Sequence, residues 1–307
     1  MKAAFFTRHG GPEVMEYGDA PDPVAGPGQV LVDVHAASVN GADWKVRAGS
    51  YAPVASFPYI PGRDFSGVVA ATGSGVSDFK PGDAVFGVCD VGQEAAYAEK
   101  VAIKAAILAR KPDNLSHIDA AALSLTGLTA LVSVEDTLKL RRGETILVQG
   151  GAGGVAGFAI QLARHIGARV ISTASAANLD YVRGLGADTV IDYTKQDFAQ
   201  VVSGVDAVFE TVGGDVATRS FAVLRPGGRI AFIASGAKAP ASPRPDVQAL
   251  RPAVGRDRPH LQRIVALVEA GAVRRPEVTV FPLAEAAEAH RISEGRHLRG
   301  KLVFKVR

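Results

Sequence analysis

The chain has 307 residues, 47% of them hydrophobic and 21% charged, so it can bury a sizeable core and is expected to form two domains. Its formal net charge is only +3, and no basic run alternates with aromatic residues, so we expect no nucleic-acid partner. The single cysteine, Cys89, excludes an intrachain disulfide and a multi-cysteine zinc site.

The first part of the chain predicts strands separated by turns. The N-terminal MKAAFFTRHGGPEV has too short an apolar stretch for a signal peptide, and no run approaches the ~18 apolar residues of a membrane helix. We therefore expect a cytoplasmic protein with no membrane partner. Residues 30–39, 67–76 and 83–88 predict strands. From about Asp119 an Ala- and Leu-rich stretch predicts a pair of helices.

Strands and helices then alternate. Short apolar runs separated by helical segments indicate parallel strands covered on both faces, which predicts an α/β fold with an open, doubly wound sheet. The predicted strands are 145–150, 168–173, 189–193, 205–211 and 229–234, and the predicted helices are 155–166, 178–185 and 215–224. The Pro- and Arg-rich segment 237–260 predicts a surface excursion with one short strand. A helix over 260–271 and strands over 278–283 and 300–306 follow.

A glycine loop lies between the first of these strands and its helix. Residues Gly151 to Ala156 fit the pattern Gly-x-Gly-x-x-Gly/Ala. In this pattern Gly151 allows the tight turn, Gly153 lets a pyrophosphate approach the backbone, and Ala156 permits close packing of helix on strand. The phosphates would lie on the N–H groups of the first helical turn, which includes Gly154 and Val155. The alternative is a tight turn that binds no ligand.

The second strand ends without an acidic residue. An acid there accepts a hydrogen bond from the ribose 2′-hydroxyl of NAD and repels the 2′-phosphate of NADP, so ARVISTAS (168–175) favours NADP. Candidate donors to the phosphate are Thr173, Ser175, Asn178, Tyr193 and Arg183. The alternative is that these are ordinary loop residues and that NAD binds equally well.

The order of motifs resembles that of a known family. The motifs are PGRDFSGVV (61–69), DFKPGDAVFG (78–87), GGAGGVAGFAIQLAR (150–164), VFETVGGD (208–215) and the tail FPLAEAAEAHRISEGRHLRGKLVFKV (281–306). Over essentially its whole length the chain resembles the zinc-free, zeta-crystallin-like quinone oxidoreductases of the medium-chain dehydrogenase/reductase superfamily. It departs from them at Ala156, where a glycine is usual. It departs again in segment 237–260, whose composition puts in doubt the strand that related proteins use to pair subunits.

The resemblance implies a Rossmann-type doubly wound domain inserted into a β-rich, GroES-like catalytic domain. The implied boundaries are 1–117 and 251–307 for the catalytic domain and 118–250 for the dinucleotide-binding domain, with the nicotinamide in the cleft between them. The implied activity is NADPH-dependent reduction of quinones or other α,β-unsaturated carbonyl compounds. A homodimer is one assembly that the resemblance allows.

The resemblance also suggests which residues line the cleft. Asn40 and Tyr51 would donate hydrogen bonds to the oxyanion that develops on the acceptor, with Lys45 and Arg47 near the rim. The alternatives are that Asn40 caps a turn and that Tyr51 only packs. Asp43 is a further candidate for the substrate cleft, although it is better explained as a helix N-cap. Asp64 is better explained as a hydrogen-bonded structural carboxylate.

Further cofactor contacts follow by motif match. They are Thr126, Val212, Gly213, Gly214, Ala234, Ser235 and Lys301. The loop at 212–214 follows a strand whose carboxyl end is where open α/β sheets bind their ligands. A plain turn at Gly213-Gly214 and a solvated surface lysine at Lys301 are the alternatives.

The residues predict that no zinc is bound. Zinc enzymes of the superfamily carry Cys where this chain has Asn40, and Gly-His-Glu where it has Gly62-Arg63-Asp64. A catalytic zinc needs about three N, S or O ligands, and Asn and Arg cannot replace thiolate and imidazole. The histidines show no close ligand spacing, and we expect His290 and His297 to be solvated on a surface helix.

The sequence leaves two other functions open. One is an enoyl reductase acting on a free or tethered biosynthetic intermediate, for which the Arg-rich segment 244–275 would be a phosphopantetheine-binding patch. The other is a non-catalytic, NADPH-binding redox sensor or regulator. The near-neutral net charge argues against a nucleic-acid-binding version of the second.

Overall fold

The computed structural model describes residues 1–51, 53–236 and 238–307, which divide into two compact units. Unit 1 comprises Met1–Leu125, Arg256–Glu269 and Arg275–Arg307, and unit 2 comprises Thr126–Gly255 and Ala270–Arg274. The expected boundaries at 117/118 and 250/251 lie slightly earlier than these divisions. The first division passes through a helix, which composition alone does not reveal.

The regular elements of the described residues follow in chain order. The strands are β1 (Lys2–Phe6), β2 (Met15–Asp19), β3 (Gln29–Ser38), β4 (Asp64–Thr72), β5 (Ala84–Val88), β6 (Lys100–Lys104), β7 (Leu108–Arg110), β8 (Thr145–Val148), β9 (Arg169–Ala174), β10 (Thr189–Asp192), β11 (Val205–Glu210), β12 (Leu224–Phe232), β13 (Gln248–Leu250), β14 (Val278–Pro282) and β15 (Lys301–Lys305). The helices are α1 (Gly41–Arg47), α2 (His117–Leu131), α3 (Gly154–Ile166), α4 (Leu179–Gly184), α5 (Phe198–Val201), α6 (Asp215–Arg219), α7 (Arg258–Glu269) and α8 (Ala286–Glu294).

Unit 1 is built on strands. Strands β1 and β2 form an antiparallel pair, and a seven-stranded sheet runs in the order β14-β15-β3-β4-β5-β7, with β6 also paired to β3. Alternate residues Val30, Val32 and Val34 of β3 are buried in the core, as the period of two along a strand requires. The register sets Ser38 opposite both Asp64 of β4 and Val303 of β15. Three segments distant in sequence therefore meet at the end of β3.

Unit 2 contains a six-stranded parallel sheet in the order β10-β9-β8-β11-β12-β13. Counting from β8, this is the order 3-2-1-4-5-6 of a Rossmann sheet, whose ligands bind at the carboxyl ends of the strands near the reversal of strand order. That reversal lies between β8 and β11. The predicted fold class is confirmed, because the buried apolar runs are the parallel strands.

Several elements differ from the sequence-based expectation. Helix α6 ends at Arg219 rather than at residue 224, because Phe221 and Val223 turn into the core below β12. The expected second helix after α2 is a π-helical continuation, Val132–Thr137. The short strand expected within 237–260 is β13, and Ala237 of that segment lies outside the described residues.

One helix corrects an expectation about apolar length. Residues His117–Thr137 form a helix long and apolar enough to cross a membrane by length and composition, and 78% of its most apolar window is buried inside the protein. Core helices pass the same test, so this helix is weak evidence for a membrane span. The sequence pattern missed it because Ser, Thr and Gly interrupt the apolar residues.

Candidate active site

The glycine loop of unit 2 is tight on one side and open on the other. Gly150 has a φ of +69°, so it, rather than Gly151, makes the left-handed turn after β8. A Cβ on Gly151 would overlap Ser172 Oγ and lie 2.9 Å from Val182 Cγ1, so Gly151 is required by packing. A Cβ on Gly153, the N-cap of α3, would meet nothing nearer than the Gly150 carbonyl oxygen at 3.6 Å. Space is therefore available above Gly153.

The start of α3 faces this space. The first turn of a helix leaves its N–H groups without intrahelical partners, and here those groups include Gly154 and Val155. Ala156 is fully buried at the same turn, and Gly151 N–H is bound to the Thr173 carbonyl oxygen at 2.9 Å. The loop is thus fixed from below while its helical N–H groups remain directed outward, an arrangement suited to an anion.

Thr173 lies beneath the loop, which corrects its expected role. Its hydroxyl donates to Gln149 Oε1 at 2.8 Å and accepts from the Gly150 N–H at 3.0 Å, and the side chain is buried. Gln149 also donates from Nε2 to Ser220 Oγ at 3.1 Å. Thr173 therefore supports the loop and is not placed to donate to a phosphate. Gln149 was not predicted, although a polar residue between a buried strand and a glycine loop is a recognisable signal.

The other predicted polar residues cluster at the ends of β9 and β10. Ser175 follows β9, and its Oγ accepts from Asn178 Nδ2 at 3.1 Å. Tyr193 follows β10, with its N–H bound to the Ala174 carbonyl oxygen at 3.1 Å and its side chain 48% exposed. Arg183 is exposed and paired with Asp180 at 2.7 Å. Ser175, Asn178 and Tyr193 therefore lie together where the missing acid would have been.

The loop after β11 is built around a buried carboxylate that the sequence did not reveal. Glu210 Oε1 accepts hydrogen bonds of 2.7 Å from the N–H groups of both Val212 and Gly213. Gly213 and Gly214 have φ of +85° and +61°, and a Cβ on Gly213 would lie 3.2 Å from the Ala234 carbonyl oxygen. Burial raises the pKa of Glu210, and the two N–H groups oppose that rise.

Two further cofactor candidates belong to unit 2. Ser235 Oγ donates to the Lys238 carbonyl oxygen at 3.1 Å in the turn after β12. Thr126 is buried within α2.

In unit 1, Asn40 begins α1 and is fully hydrogen-bonded. It is the N-cap of the helix, and Asp43, at the third helical position, accepts from the Asn40 N–H at 2.9 Å. The prediction that Asp43 is the N-cap was therefore wrong. Asn40 Nδ2 donates to Asp64 Oδ1 at 2.6 Å and to the Ser38 carbonyl oxygen at 3.3 Å, and its Oδ1 accepts from Lys301 Nζ at 2.8 Å. Because both amide hydrogens are engaged, Asn40 does not offer a donor to an oxyanion.

Asp64 and Lys301 compensate each other on either side of Asn40. Asp64 accepts from Ser38 Oγ at 2.8 and 2.9 Å and from the Leu125 N–H at 3.1 Å, as expected for a structural carboxylate. Lys301 is only 4% exposed and donates to the Val39 carbonyl oxygen at 2.7 Å, so the surface-lysine alternative was wrong. Burial raises the pKa of Asp64 and lowers that of Lys301, while the charge of each opposes the shift of the other.

A second buried cluster centres on Arg63. Its Nε lies 3.5 Å from Asp43 Oδ1 and its Nη2 lies 3.2 Å from Glu94 Oε1. Tyr97 Oη donates to Asp43 Oδ2 at 2.8 Å, and Tyr59 Oη donates to Glu94. Burial raises the pKa of Asp43 to about 6, although the Arg63 charge opposes it. Sequence reasoning missed this cluster because its members come from separate segments.

Tyr51 and the two predicted rim residues, Lys45 and Arg47, differ in how far they are buried. Tyr51 is half-exposed, and the Arg63 Cζ lies 5.0 Å from its ring centroid. Lys45 is partly buried beside Trp44. Arg47 is fully buried, paired with Glu294 and 3.1 Å from His290 Nδ1, so the rim position was wrong for Arg47.

His290 also corrects the sequence-based expectation. It is buried in α8 rather than solvated, and burial together with the Arg47 charge lowers its pKa to about 3. His297 is exposed, as expected. Within the described ranges, no group of three or more His, Cys, Asp or Glu side chains is arranged to hold a metal ion.

The arginines of segment 244–275 bind their own chain. Arg258 donates to the carbonyl oxygens of Leu108 and Ala105 and pairs with Asp78, while Arg275 pairs with Asp119. Arg244, Arg251, Arg256 and Arg274 likewise donate to backbone carbonyl oxygens within their own units. These contacts stabilise loops and do not favour the phosphopantetheine patch considered from sequence.

Comparison with known proteins agrees with the geometry. Two family models match the chain, the alcohol dehydrogenase GroES-like domain at residues 26–113 and the zinc-binding dehydrogenase domain at residues 185–304. The chloroplastic NADPH-dependent alkenal/one oxidoreductase of Arabidopsis thaliana is 34% identical over 318 residues, covering 99% of this chain and 79% of that protein.

Solved structures give the same result. The quinone oxidoreductase of Coxiella burnetii is 36% identical with a TM-score of 0.93, covering 100% of this chain and 99% of that one. The Escherichia coli quinone oxidoreductase, solved with NADPH, is 27% identical with a TM-score of 0.91, and the match covers 100% of both chains. The chain therefore belongs to the quinone oxidoreductase group of the medium-chain dehydrogenase/reductase superfamily, as its motifs predicted.

Proposed function

We propose that the protein is an NADPH-dependent oxidoreductase that reduces quinones or other α,β-unsaturated carbonyl compounds. The observation that carries this proposal is the glycine loop of unit 2, closed by packing at Gly151 and open above Gly153. It occurs in a chain whose relatives are named as enone and quinone oxidoreductases, one of them NADPH-dependent.

The residues present fit a dinucleotide phosphate. The pyrophosphate would lie above Gly153 on the N–H groups of Gly154 and Val155, where a Cβ would take up the space. Ser175, Asn178 and Tyr193 would surround the 2′-phosphate, with no acid at the end of β9 to repel it. The loop Val212-Gly213-Gly214 and Ala234 follow β11 and β12 at the same edge of the sheet, on the nicotinamide side of the strand-order reversal.

Bound NADPH would supply a hydride to the β-carbon of an enone or to a quinone. The chain then has to stabilise the negative charge that develops on the acceptor oxygen. Asn40 cannot serve, because its amide is committed to Asp64, Ser38 and Lys301. Of the two expected donors this leaves Tyr51, whose half-exposed phenol would donate a hydrogen bond to that oxygen. The proton that completes the reduction would come from water.

We propose in addition that the reaction does not use zinc. The donor set does not fit the metal, since the Asn40 amide is engaged on both sides and position 63 carries a guanidinium. The match to the zinc-binding dehydrogenase model begins at residue 185 and so does not include these positions. The proposed reaction therefore involves no metal ion.

The relatives that match along most of both chains favour a reductase of free enones or quinones over the two alternatives left open by the sequence. The contacts that Arg258 and Arg275 make with their own chain weaken the argument for a tethered substrate. A cytoplasmic location, a homodimer and the absence of nucleic-acid and membrane partners stay predictions.

The test is oxidation of NADPH and NADH followed at 340 nm, with 1,4-benzoquinone, 9,10-phenanthrenequinone or methyl vinyl ketone as acceptor. We expect acceptor-dependent oxidation that is faster with NADPH than with NADH. Binding of NADPH without turnover of any acceptor would contradict the proposed activity and would favour the sensor. Equal rates with both cofactors would contradict the argument from the missing acid.

A further inference from the structure

Arg63 is buried, and the surrounding fold fixes its position. It is only 3% exposed and immediately precedes β4. The preceding Gly62 has a φ of +96° and no room for a Cβ beside the Tyr97 ring, and the Arg63 carbonyl oxygen accepts from the Cys89 N–H at 2.6 Å. The backbone at Gly62 and Arg63 is thus fixed by contacts that do not involve the charge of the Arg63 side chain.

The guanidinium is kept charged by two buried carboxylates that have other donors. Asp43 is bound by the Tyr97 hydroxyl and the Asn40 N–H, and Glu94 is bound by the Tyr59 hydroxyl and the Gly92 N–H. Both approach Arg63 without hydrogen-bond geometry at Nε or Nη2. Their charges raise the pKa of Arg63 against the effect of burial. The cation is therefore retained, and its carboxylate partners are partly satisfied elsewhere.

The third neighbour of the guanidinium is Tyr51. The Arg63 Cζ lies 5.0 Å from the centroid of the Tyr51 ring, within the range of an attractive cation–π contact. The ring is half-exposed, so one side of Tyr51 faces Arg63 and the other remains accessible. A positive charge next to a phenol stabilises negative charge that develops on the phenol oxygen, which makes its O–H more acidic and a stronger hydrogen-bond donor to an anion.

We propose that Arg63 is a positioning residue that orients the Tyr51 phenol and stabilises, through it, the negative charge on the acceptor oxygen. This rests on the proposed function. When hydride adds to the β-carbon of an enone, the π-electron pair of the alkene moves toward the carbonyl and leaves an enolate oxygen. The Tyr51 O–H donates a hydrogen bond to that oxygen, the Arg63 charge acts on the oxygen through the phenol, and water supplies the proton that completes the reduction.

The experiment measures binding of an oxyanion to the cofactor-free protein, so it does not depend on turnover. The probe is 4-nitrophenolate, with neutral 4-nitroanisole as its matched counterpart, and calorimetry gives the two dissociation constants. The variants are R63Q, which removes the charge, and R63K, which keeps the charge but not the planar group. The control is R110Q, because Arg110 also lies over a ring, that of Phe79, but is exposed on the surface.

We expect R63Q to weaken 4-nitrophenolate binding about tenfold, as loss of a partly desolvated cation–π contact implies, with 4-nitroanisole unchanged. R63K should recover part of the loss, and R110Q should bind both probes as the wild type does. In Y51F the R63Q substitution should have no further effect on the anion, because the two residues act as one unit.

Three results would overturn the proposal. They are equal weakening of both probes by R63Q, no weakening of either, and the same loss of anion binding by R63Q in the presence and absence of the Tyr51 hydroxyl. If R63Q does not fold, R63K decides, since a folded R63K that binds the anion no better than the neutral probe also contradicts a role for the charge. Failure of the proposed function would appear separately, as wild-type protein that binds NADPH but oxidises it with none of the acceptors named above.

Discussion

The two units carry candidate functional residues of different kinds. In unit 2 the cofactor loop is almost entirely backbone, in which Gly150 makes the turn, Gly151 packs and Gly153 leaves space. In unit 1 the candidate residues are charged side chains that are buried and paired, among them Asp43, Arg63 and Lys301. The first depends on residues that are neighbours in sequence, and the second on residues that only the fold brings together.

The difference predicts two kinds of sensitivity to mutation. A backbone site should respond to added atoms, because its function depends on empty space. A buried charge network should respond to removed charge, because a remaining partner is left unpaired in the interior. Substitutions in the two units test the two sides of this contrast.

The largest effect is expected from K301M. Removal of the ammonium leaves Asn40 Oδ1 and the Val39 carbonyl oxygen without their donor and Asp64 without its compensating cation. The unfolding free energy should fall by about 3–5 kcal/mol, as for a broken buried ion pair. Urea denaturation measures it. K305M, at the exposed end of the same strand, should change it by less than about 0.5 kcal/mol, and a similar loss in both variants would contradict the account.

The raised pKa of Asp43 predicts an unusual dependence of stability on pH. Its folded-state pKa of about 6 lies above the ordinary value of 3.8, so between these pH values the folded protein holds a proton that the unfolded chain has released. Its contribution to the unfolding free energy therefore falls as pH rises from 4 to 6, by about 3 kcal/mol in all.

The measurement compares the wild type with D43N, which does not titrate, by urea denaturation at several pH values across this window. The wild type should lose stability relative to D43N as pH rises. A difference between the two proteins that stays constant with pH would show that the Asp43 carboxyl titrates at its ordinary value.

Two alanine substitutions in the glycine loop separate packing from ligand access. G151A should lower the unfolding free energy by about 1–3 kcal/mol, because its Cβ overlaps Ser172. G153A has an ordinary φ of −74° and open space, so stability should change by less than about 1 kcal/mol. It should instead weaken NADPH binding at least about tenfold by occupying the space needed by the pyrophosphate. Unchanged NADPH affinity in G153A would remove the phosphates from this loop.

The smallest effect concerns cofactor choice. S175D restores an acid after β9 and should weaken NADPH binding about tenfold, or about 1.4 kcal/mol, by repelling the 2′-phosphate, while NADH binding improves. S203D adds the same charge before β11, at the amino end of the sheet, and should change neither affinity. Equal weakening of NADPH by both variants would indicate a general effect of charge rather than a 2′-phosphate site.

The same contrast explains what could be predicted from sequence. The parallel strands, the order of motifs and the glycine loop are local patterns, and the structure places them as expected apart from the exchange of roles between Gly150 and Gly151. The surroundings of Asn40, Arg47, Lys301 and His290 could not be predicted from local sequence because each depends on a partner more than 20 residues away, such as Asp64 for Asn40 and Arg47 for His290. A charged residue with a buried partner looks like a surface residue until that partner is known.

The most direct test of the account is to follow the hydride itself. NADPH carrying deuterium in both hydrogen positions at C4 of the nicotinamide would be incubated with the protein and methyl vinyl ketone, and the product analysed by mass spectrometry and NMR. The account predicts a saturated ketone with deuterium on the former β-carbon. Deuterium on the carbonyl carbon of an alcohol, or a saturated ketone without deuterium, would contradict it.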